Sequence, residues 1–420
     1  MATSATATAA AMAHATATAP ATLAADVAPA DGIHQQVPRE RCGPAVQRLR
    51  DAYAIVPGAP IYRCEFGYYC LDAWREQGLP KEIADEYWTP ASRVCLNRLF
   101  GFDAPARHDL RRLGWCEAAF DPVWTTEVLE DRGEHELARD FAGRSVLFFK
   151  GRRNGFMPEY VDHPVKDLAT WERDVIWRLD PTTPERWKGF SDEVERAKAA
   201  AAAGRHVNLG VIGCYMFLRS LIGPSETLYV FHDAPELVHA CMRQWLVLAD
   251  AVATRWQEHL TLDEVFFAED ICYNKGPLVS PKMIREFLFP YYREFLQGVR
   301  RRQIDRSRKL HIQVDTDGDA VSVTDLYREI GCTMMSPCEV ASGCDVVAIG
   351  KRWPDLALLG GIDKRILAAG KDAIDRELER IMPVMRARGG YIPTCDHGVP
   401  AEVKYEDYLH YRKRMLDYCG

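Results

Sequence analysis

Acidic, imidazole and thiol side chains come directly after several short apolar runs in the second half of the chain. One acid in such a position means little, because Asp commonly begins a helix. Recurrence after five runs is different, since parallel strands under helices open their carboxyl ends onto one face. The pattern therefore predicts a polar site at that face. Its members are Glu269, Asp270, Asp315, Glu339, Asp363, Cys395, Asp396 and His397.

The strongest single motif is Asp396-His397, which follows an apolar run and precedes a glycine. Imidazole beside a carboxylate suits proton transfer near neutral pH. We predict that Asp396 and His397 handle protons as one unit. Glu269, Asp270 and Asp315 are the further candidate catalytic acids.

Simpler structural explanations exist for some of these residues. Asp363 is equally explained as the cap of the helix that follows it, and Asp317 as a turn former beside a glycine. His311, Gln313 and Asp315 alternate along one strand, so their side chains point to the same side. If that side is the interior, such a column is costly unless it is bonded or functional.

The elements that position these groups form a strand–helix alternation from residue 205 onward. Short continuous apolar strands between helices are typical of a parallel sheet covered by helices. We predict an α/β fold, a (β/α)₈ TIM barrel over residues 43–420, whose first strand is Ile61–Tyr68. A doubly wound sheet is the competitor, but no G-x-G-x-x-G follows the first strand. Residues 125–157 predict an antiparallel β-hairpin insertion, and residues 1–42 a disordered Ala/Thr-rich tail.

Composition excludes several classes of function. The formal net charge of −7 disfavours a nucleic-acid binder. No apolar run approaches the ~20 residues that span a membrane. The 13 cysteines form no C-x-x-C, which favours a reducing, cytoplasmic location, although a plastid-type transit peptide is an alternative reading of the tail. Phosphate loops, G-x-S-x-G and H-E-x-x-H are absent, which disfavours nucleotide and serine hydrolysis.

A set of motifs in fixed order resembles the uroporphyrinogen decarboxylase-like (URO-D) superfamily, which also contains corrinoid-dependent methyltransferases. The resemblance begins at about Ile61 and implies the same barrel that the strand pattern predicts. The motifs that carry it are Phe66-Gly67-Tyr68, Gly78-Leu79-Pro80, Phe156-Met157-Pro158, 231–237, Glu269-Asp270-Ile271, Lys275-Gly276-Pro277, 314–319, 360–364 and 396–400.

The decarboxylase branch implies a metal-free lyase acting on a porphyrinogen-like or other carboxylated substrate, with no cofactor. His397 with its following glycine resembles a Gly-His-Gly that lines the tetrapyrrole pocket. The Arg-rich stretch that binds the substrate carboxylates in that branch has Glu65 in its place here. Arg219, Lys275 or Arg153 would hold a substrate carboxylate, and His397 or an acid would protonate the carbanion.

The methyltransferase branch implies a zinc ion held by His-x-Cys and a distant Cys. His311 and Cys395 fall at two of these positions, and Gln313 replaces the middle ligand. Glu339 or Asp315 would supply the third ligand, since zinc sites with an open position use three protein ligands. A corrinoid would arrive on a separate carrier protein, and the resemblance suggests a homodimer.

We expect a small-molecule enzyme, with methyl transfer slightly preferred over decarboxylation. A catalytically silent ligand-binding barrel is the third reading, and it is disfavoured because buried polar groups cost stability. The candidate substrate-binding residues are Glu65, Tyr68, Tyr215, Arg219, Lys275 and Asp363.

Overall fold

The computed structural model describes residues 34–84, 90–111, 113–150 and 158–420. Seven parallel strands form the main sheet, in the order β1-β6-β7-β10-β11-β12-β13. The strands are β1 Arg107–Asp109, β2 Glu127–Arg132, β3 His135–Arg139, β4 Ser145–Phe149, β5 Glu159–Asp162, β6 His206–Ile212, β7 Glu264–Ala268, β8 Cys272–Tyr273, β9 Gly276–Pro277, β10 His311–Asp315, β11 Met334–Ser336, β12 Ala357–Ile362 and β13 Tyr391–Cys395.

Helices follow most of these strands. They bury the apolar outer face of the sheet, as parallel strands require. The α-helices are α1 Pro44–Tyr53, α2 Leu71–Arg75, α3 Lys81–Ala84, α4 Pro90–Leu99, α5 Leu168–Thr170, α6 Phe190–Ala202, α7 Cys214–Ile222, α8 Glu226–Asp233, α9 Pro235–Gln257, α10 Pro281–Met283, α11 Phe289–Arg302, α12 Val321–Arg328, α13 Val346–Arg352, α14 Lys364–Ala368, α15 Lys371–Arg388 and α16 Tyr405–Tyr418.

Local sequence explains where several helices begin. Ser280 caps α10 by accepting a hydrogen bond from the backbone N–H of Met283, and Pro281 occupies the first helical position, as predicted. Asp345 caps α13 in the same way, through the backbone N–H of Ala348. All residues of β6, β7 and β13 are buried, which fits the continuous apolar runs from which we predicted them.

The predicted first strand, Ile61–Tyr68, does not form a regular ladder. It forms an isolated parallel bridge between Tyr68 and Val399, and the backbone N–H of Asp103 donates to the carbonyl of Arg63. A side chain completes the connection to β13, because the backbone N–H of Cys395 donates to Oε1 of Glu65 over 2.7 Å. The first strand of the sheet is instead β1, which the sequence analysis missed because its residues, Arg-His-Asp, carry no apolar pattern.

The predicted insertion at 125–157 is a four-stranded antiparallel sheet of order β2-β3-β4-β5. Two of its strands, β3 and β5, were not predicted, and β5 lies beyond the expected boundary. Residues 151–157, which include Arg153, lie outside the described residues. So do residues 1–33 of the predicted tail.

The register of the parallel sheet brings the carboxyl ends of its strands to one edge. Asp315 at the end of β10 lies opposite Ala268 of β7 and Ser336 of β11. We call this edge, with the loops that leave it, the site face. In the part of the chain that the structure describes, no helix has the length and apolarity needed to cross a membrane.

Candidate active site

His397 lies at the site face, immediately after β13, and pairs with a carboxylate from a different strand. Its Nε2 atom is 3.5 Å from Oδ2 of Asp317, which follows β10. The hydrogen bond to Asp317 raises the pKa of the imidazole, and partial burial opposes this shift. The rings of Phe66 and Tyr69 also lie against the imidazole, with centroids 5.3 and 5.6 Å away. His397 therefore holds a proton more firmly than a free histidine does.

Asp396 does not act as the partner of His397, which corrects the prediction that the two form one unit. Its side chain is fully buried. Oδ2 accepts from the backbone N–H of Val340 over 2.9 Å, and Oδ1 accepts from that of Lys364 over 3.1 Å. Adjacent residues after a strand point to opposite sides, so Asp396 ties two neighbouring loops together while His397 faces outward.

Asp315 ends β10 with its side chain in the sheet interior. Burial raises the pKa of this carboxyl to about 7, and the negative charges of Asp317 and Asp270 add to that rise. The hydroxyl of Ser336 donates to Oδ2 of Asp315 over 2.5 Å and lowers the pKa in part. A carboxyl poised near 7 can give or take a proton at neutral pH.

Asp270 and Arg219 form an ion pair at the same face. Asp270 has a φ of 42°, in the left-handed region that few non-glycine residues adopt. Such a conformation costs of order 1–3 kcal/mol, and it persists only where the surroundings hold it. Arg219 lies on α7, so the pair links the loop after β7 to the helix after β6. Burial raises the pKa of Asp270.

Glu269 is fully buried beneath the site face and does not open onto it. The hydroxyls of Tyr292 and Tyr327 donate to its two oxygens over 2.6 and 2.5 Å. The backbone N–H of Tyr215, in the first turn of α7, also donates to this carboxylate. Burial raises the pKa of Glu269 to about 7. The residue thus holds three helices together, and its carboxylate is not exposed at the site face.

Glu339 forms an ion pair with Lys364, whose Nζ lies 2.8 Å from Oε1. The backbone N–H of Gly318 donates to Oε2 of the same carboxylate over 3.0 Å. Glu339 therefore joins the loops after β10, β11 and β12, and Lys364 adds a third positive group beside Arg219 and His397.

The predicted metal ligands His311, Cys395 and Glu339 do not meet. His311 begins β10 and lies opposite Glu264, about 13 Å along the strand from the site face. It packs against Tyr53 there, and burial lowers its pKa to about 3. The three residues are apart because His311 stands at the amino end of β10, whereas Cys395 ends β13 and Glu339 follows β11. In residues 34–84, 90–111, 113–150 and 158–420, no group of three or more His, Cys, Asp or Glu side chains is placed to hold a metal ion.

Three of the predicted substrate-binding residues have structural roles instead. Glu65 accepts hydrogen bonds from the backbone of Cys395 and from the hydroxyl of Tyr408. Tyr68 is buried and bonds to Tyr408. Asp363 caps α14 and pairs with Arg365, which is the simpler of the two explanations offered for it.

The other predicted binding residues differ in exposure: Arg219 is partly exposed, Lys275 is exposed and Tyr215 is fully buried. Arg219 stands at the site face, as described above. Tyr215 lies one turn before it on α7, and its buried hydroxyl has no hydrogen-bond partner among the residues that the structure describes. Lys275 is exposed in the turn between β8 and β9, the loop that follows Asp270.

Sequence reasoning missed Asp317, Lys364, Ser336 and Tyr69 as members of the site. Asp317 was explained as a turn former, although its position after β10 gave the same signal as the other acids. Lys364 stands in the Gly-Gly-Ile-Asp-Lys motif and was passed over in favour of the aspartate. Ser336 and Tyr69 could not be identified as site residues from one sequence, because serine and tyrosine near the end of a strand usually have structural roles.

The assembled groups can perform acid–base chemistry on a substrate that carries a negative charge. An imidazole whose pKa is raised, a carboxyl with a pKa near 7 and the cations Arg219 and Lys364 lie at the same face.

The chain is similar to known proteins over much of its length. The family model for uroporphyrinogen decarboxylase (URO-D) matches residues 157–414. A uroporphyrinogen decarboxylase of Saccharopolyspora erythraea is 27% identical over 216 residues, which are 46% of this chain and 53% of that relative. One of Geobacter metallireducens is 23% identical over 258 residues, which are 61% of this chain and 73% of the relative. This chain thus matches about half the length of the first relative.

A solved structure described as a methyltransferase from Methanosarcina mazei has a similar fold. The superposition has a TM-score of 0.52 and covers 90% of this chain and 99% of that chain, at 12% sequence identity. At this identity the likeness concerns the fold alone.

Proposed function

The chain belongs to the uroporphyrinogen decarboxylase family, and from that premise we propose that it is a lyase that removes CO₂ from a carboxylated small molecule by acid–base catalysis. The observation that carries this proposal is the His397–Asp317 pair beside Asp315, whose pKa is about 7. Such groups can deliver a proton to carbon at neutral pH.

The proposed reaction breaks one C–C bond and forms one C–H bond. The substrate carboxylate leaves as CO₂, and the electron pair of the broken bond stays on the carbon that carried it. Neutral Asp315 or protonated His397 then gives a proton to that carbon, and solvent restores the proton on the enzyme. Asp317 holds the imidazolium in place and stabilises its charge.

Arg219 is the group that would hold the substrate carboxylate. Only its Nη1 faces Asp270 in the ion pair, and a guanidinium has five N–H donors. The buried hydroxyl of Tyr215 lies on the same face of α7 and would bind a neighbouring oxygen of the substrate.

The charge of the site favours a substrate with one or two carboxylates. Arg219, Lys364 and His397 each already pair with a carboxylate of the protein. A porphyrinogen with many acid groups would require further cations at this face. We therefore prefer a small carboxylated substrate over the tetrapyrrole that the relatives' name implies.

We also propose that residues 61–68 occupy the eighth position of a closed (β/α)₈ barrel. The bridge between Tyr68 and Val399 supports this on the side of β13, and the backbone hydrogen bond from Asp103 to the carbonyl of Arg63 supports it near β1. Glu65 links this segment to β13 through its side chain.

Methyl transfer, which the sequence slightly favoured, is the weaker proposal because it depended on a zinc site at His311 and Cys395. Those residues lie at opposite ends of their strands, so no step is assigned to zinc. The corrinoid on a separate carrier protein, the homodimer and the cytoplasmic location all stay predictions.

The experiment that tests the proposal is decarboxylation in D₂O. Carboxylic acids, porphyrinogens among them, are incubated with the protein, and CO₂ and the product are measured together. The lyase reaction predicts CO₂ and one deuterium at the carbon that lost it, with a large loss of rate in His397→Gln and Asp315→Asn. Binding without CO₂ release from any acid would contradict the proposal and favour a silent ligand-binding barrel.

A second measurement separates the two family chemistries. Elemental analysis is made on the wild type, His311→Ala and Cys395→Ser. Zinc at about one per chain that both substitutions remove would restore the methyltransferase reading. Metal content that is the same in all three proteins would agree with the separation of these residues in the fold.

A further inference from the structure

A line of hydrogen-bonded side chains runs through the interior of the sheet from its amino end to Asp315. Arg107 on β1 pairs with the buried Glu264 at the start of β7 over 2.8 Å. Nη2 of Arg107 also donates to Oε1 of Gln313 over 3.3 Å. Nε2 of Gln313 donates to the hydroxyl of Ser336 over 2.7 Å, and that hydroxyl donates to Oδ2 of Asp315 over 2.5 Å.

Arg107, at the start of this line, determines the direction of every hydrogen bond in it. A guanidinium can only donate, so it selects the orientation of Gln313 in which the carbonyl oxygen faces Arg107. The amide N–H then faces Ser336, whose oxygen accepts it. The single hydroxyl proton of Ser336 is left for Asp315 Oδ2, the acceptor that the structure provides.

This directionality determines where Asp315 carries its own proton. Oδ2 accepts from Ser336, so the acid proton of the neutral carboxyl is held on Oδ1. Gln313 and Ser336 are 2% and 0% exposed, which keeps water from replacing either bond. Arg107 passes no proton at ordinary pH, so the line anchors the acid and does not supply it.

We propose that Gln313 and Ser336 are positioning residues that orient the carboxyl of Asp315 and present its proton on Oδ1 at the site face, with the Arg107–Glu264 pair as their anchor. The inference rests on the proposed acid role of Asp315. It assigns a function to Gln313, which stands on β10 where the methyltransferase resemblance placed a metal ligand.

Other charged groups also act on Asp315. Asp317 lies in the loop after β10, Asp270 in the loop after β7, and His397 in the loop after β13. The thiol of Cys338 after β11 is also near enough to interact with it. These groups are unchanged when Ser336 is replaced, so a shift in that variant reports the hydrogen bond alone.

The test follows the titration of Asp315 directly. Protein labelled with ¹³C at its aspartate carboxyls is titrated by NMR, and the signal absent from Asp315→Asn identifies Asp315. In the wild type the midpoint is expected at about 7. Loss of a hydrogen bond to the charged form should raise it by about one pH unit in Ser336→Ala. Ser336→Cys, whose thiol is a weaker and larger donor, should lie between the two, and Gln313→Leu should raise the midpoint less than Ser336→Ala.

The matched control is Thr324→Val on α12, which removes a buried hydroxyl bonded only to the backbone of Ala320 and should leave the midpoint unchanged. An unchanged midpoint in both Ser336 variants would overturn the inference. The proposed function fails separately, if Asp315→Asn releases CO₂ at the wild-type rate while the midpoint in Ser336→Ala still moves.

Discussion

Asp317 lies 3.5 Å from Nε2 of His397, although the two residues are 80 positions apart, while Asp396 beside His397 in sequence faces backbone N–H groups. The carboxylate that orients a histidine is therefore set by the geometry of parallel strands and not by adjacency in the chain.

His397 and Asp317 should behave as one unit. Removal of either group from a general acid typically costs about 10²–10⁴ in rate. We expect His397→Gln and Asp317→Asn each to lower kcat/KM for CO₂ release within this range, and the double variant to lose little more than His397→Gln alone. Additive losses would mean separate roles. Asp396→Asn should instead act on stability, because its amide would face the backbone N–H of Val340 or Lys364.

Activity should fall as the pH rises through about 7. In the proposed reaction Asp315 acts in its neutral form. Because its pKa is about 7, the fraction of active protein falls as the pH rises above that value. The pKa of His397 is also raised, by its hydrogen bond with Asp317, so loss of the imidazole proton with rising pH would lower activity in the same direction. A profile of kcat/KM from about pH 5 to about pH 9 checks this, and a rate that rises across that range would contradict it.

Glu269 should make the fold less stable at higher pH. Its folded pKa of about 7 lies above the value of about 4.3 in an unfolded chain. The folded protein thus binds this proton more tightly, and the contribution is complete below about pH 4 and lost as the pH rises through 7. Glu269→Gln does not titrate, so its unfolding free energy relative to wild type should improve by about 2 kcal/mol between pH 5 and pH 8. Urea unfolding at both values measures this, and a constant difference would refute it.

Gly213 should tolerate no side chain, because it lies under Glu269. A Cβ there would meet Oε2 of Glu269 at 1.7 Å and its Cα at 2.7 Å. We expect Gly213→Ala to cost at least about 2 kcal/mol of stability, as overpacking in a buried site does. Gly43→Ala, which has open space around its Cβ, should change stability by less than about 0.5 kcal/mol. Equal effects in thermal unfolding would show that the Glu269 contact does not matter.

The sequence predicted the repeated units better than the closure of the sheet. Strands such as β6 and β7 are buried on both faces, so their apolar runs were visible in one sequence. β1 consists of charged residues, and its ladder depends on β6, which lies almost 100 residues later. Local pattern could not reveal such a strand.

The candidate site, too, was predicted in part from the sequence. The positions after the strands were predicted because chain order determines them. Partners such as Asp317 for His397 were not, because they depend on which loops meet. The position of His311 relative to Cys395 was not predicted correctly. The motif places His311 on β10, but it does not show that His311 lies at the amino end of that strand, away from the site face.

The seam beside β13 is held by the carboxylate of Glu65 where a neighbouring strand would use several backbone hydrogen bonds. A ladder spreads its strength over many amides and survives the loss of any one side chain. Here Glu65→Ala would remove the side-chain link between residues 61–68 and β13, while the backbone bonds of Arg63 with Asp103 and of Gly67 with Val399 stay in place. The seam beside β13 thus depends on one side chain, whereas the strand pairs of the seven-stranded sheet depend on backbone ladders.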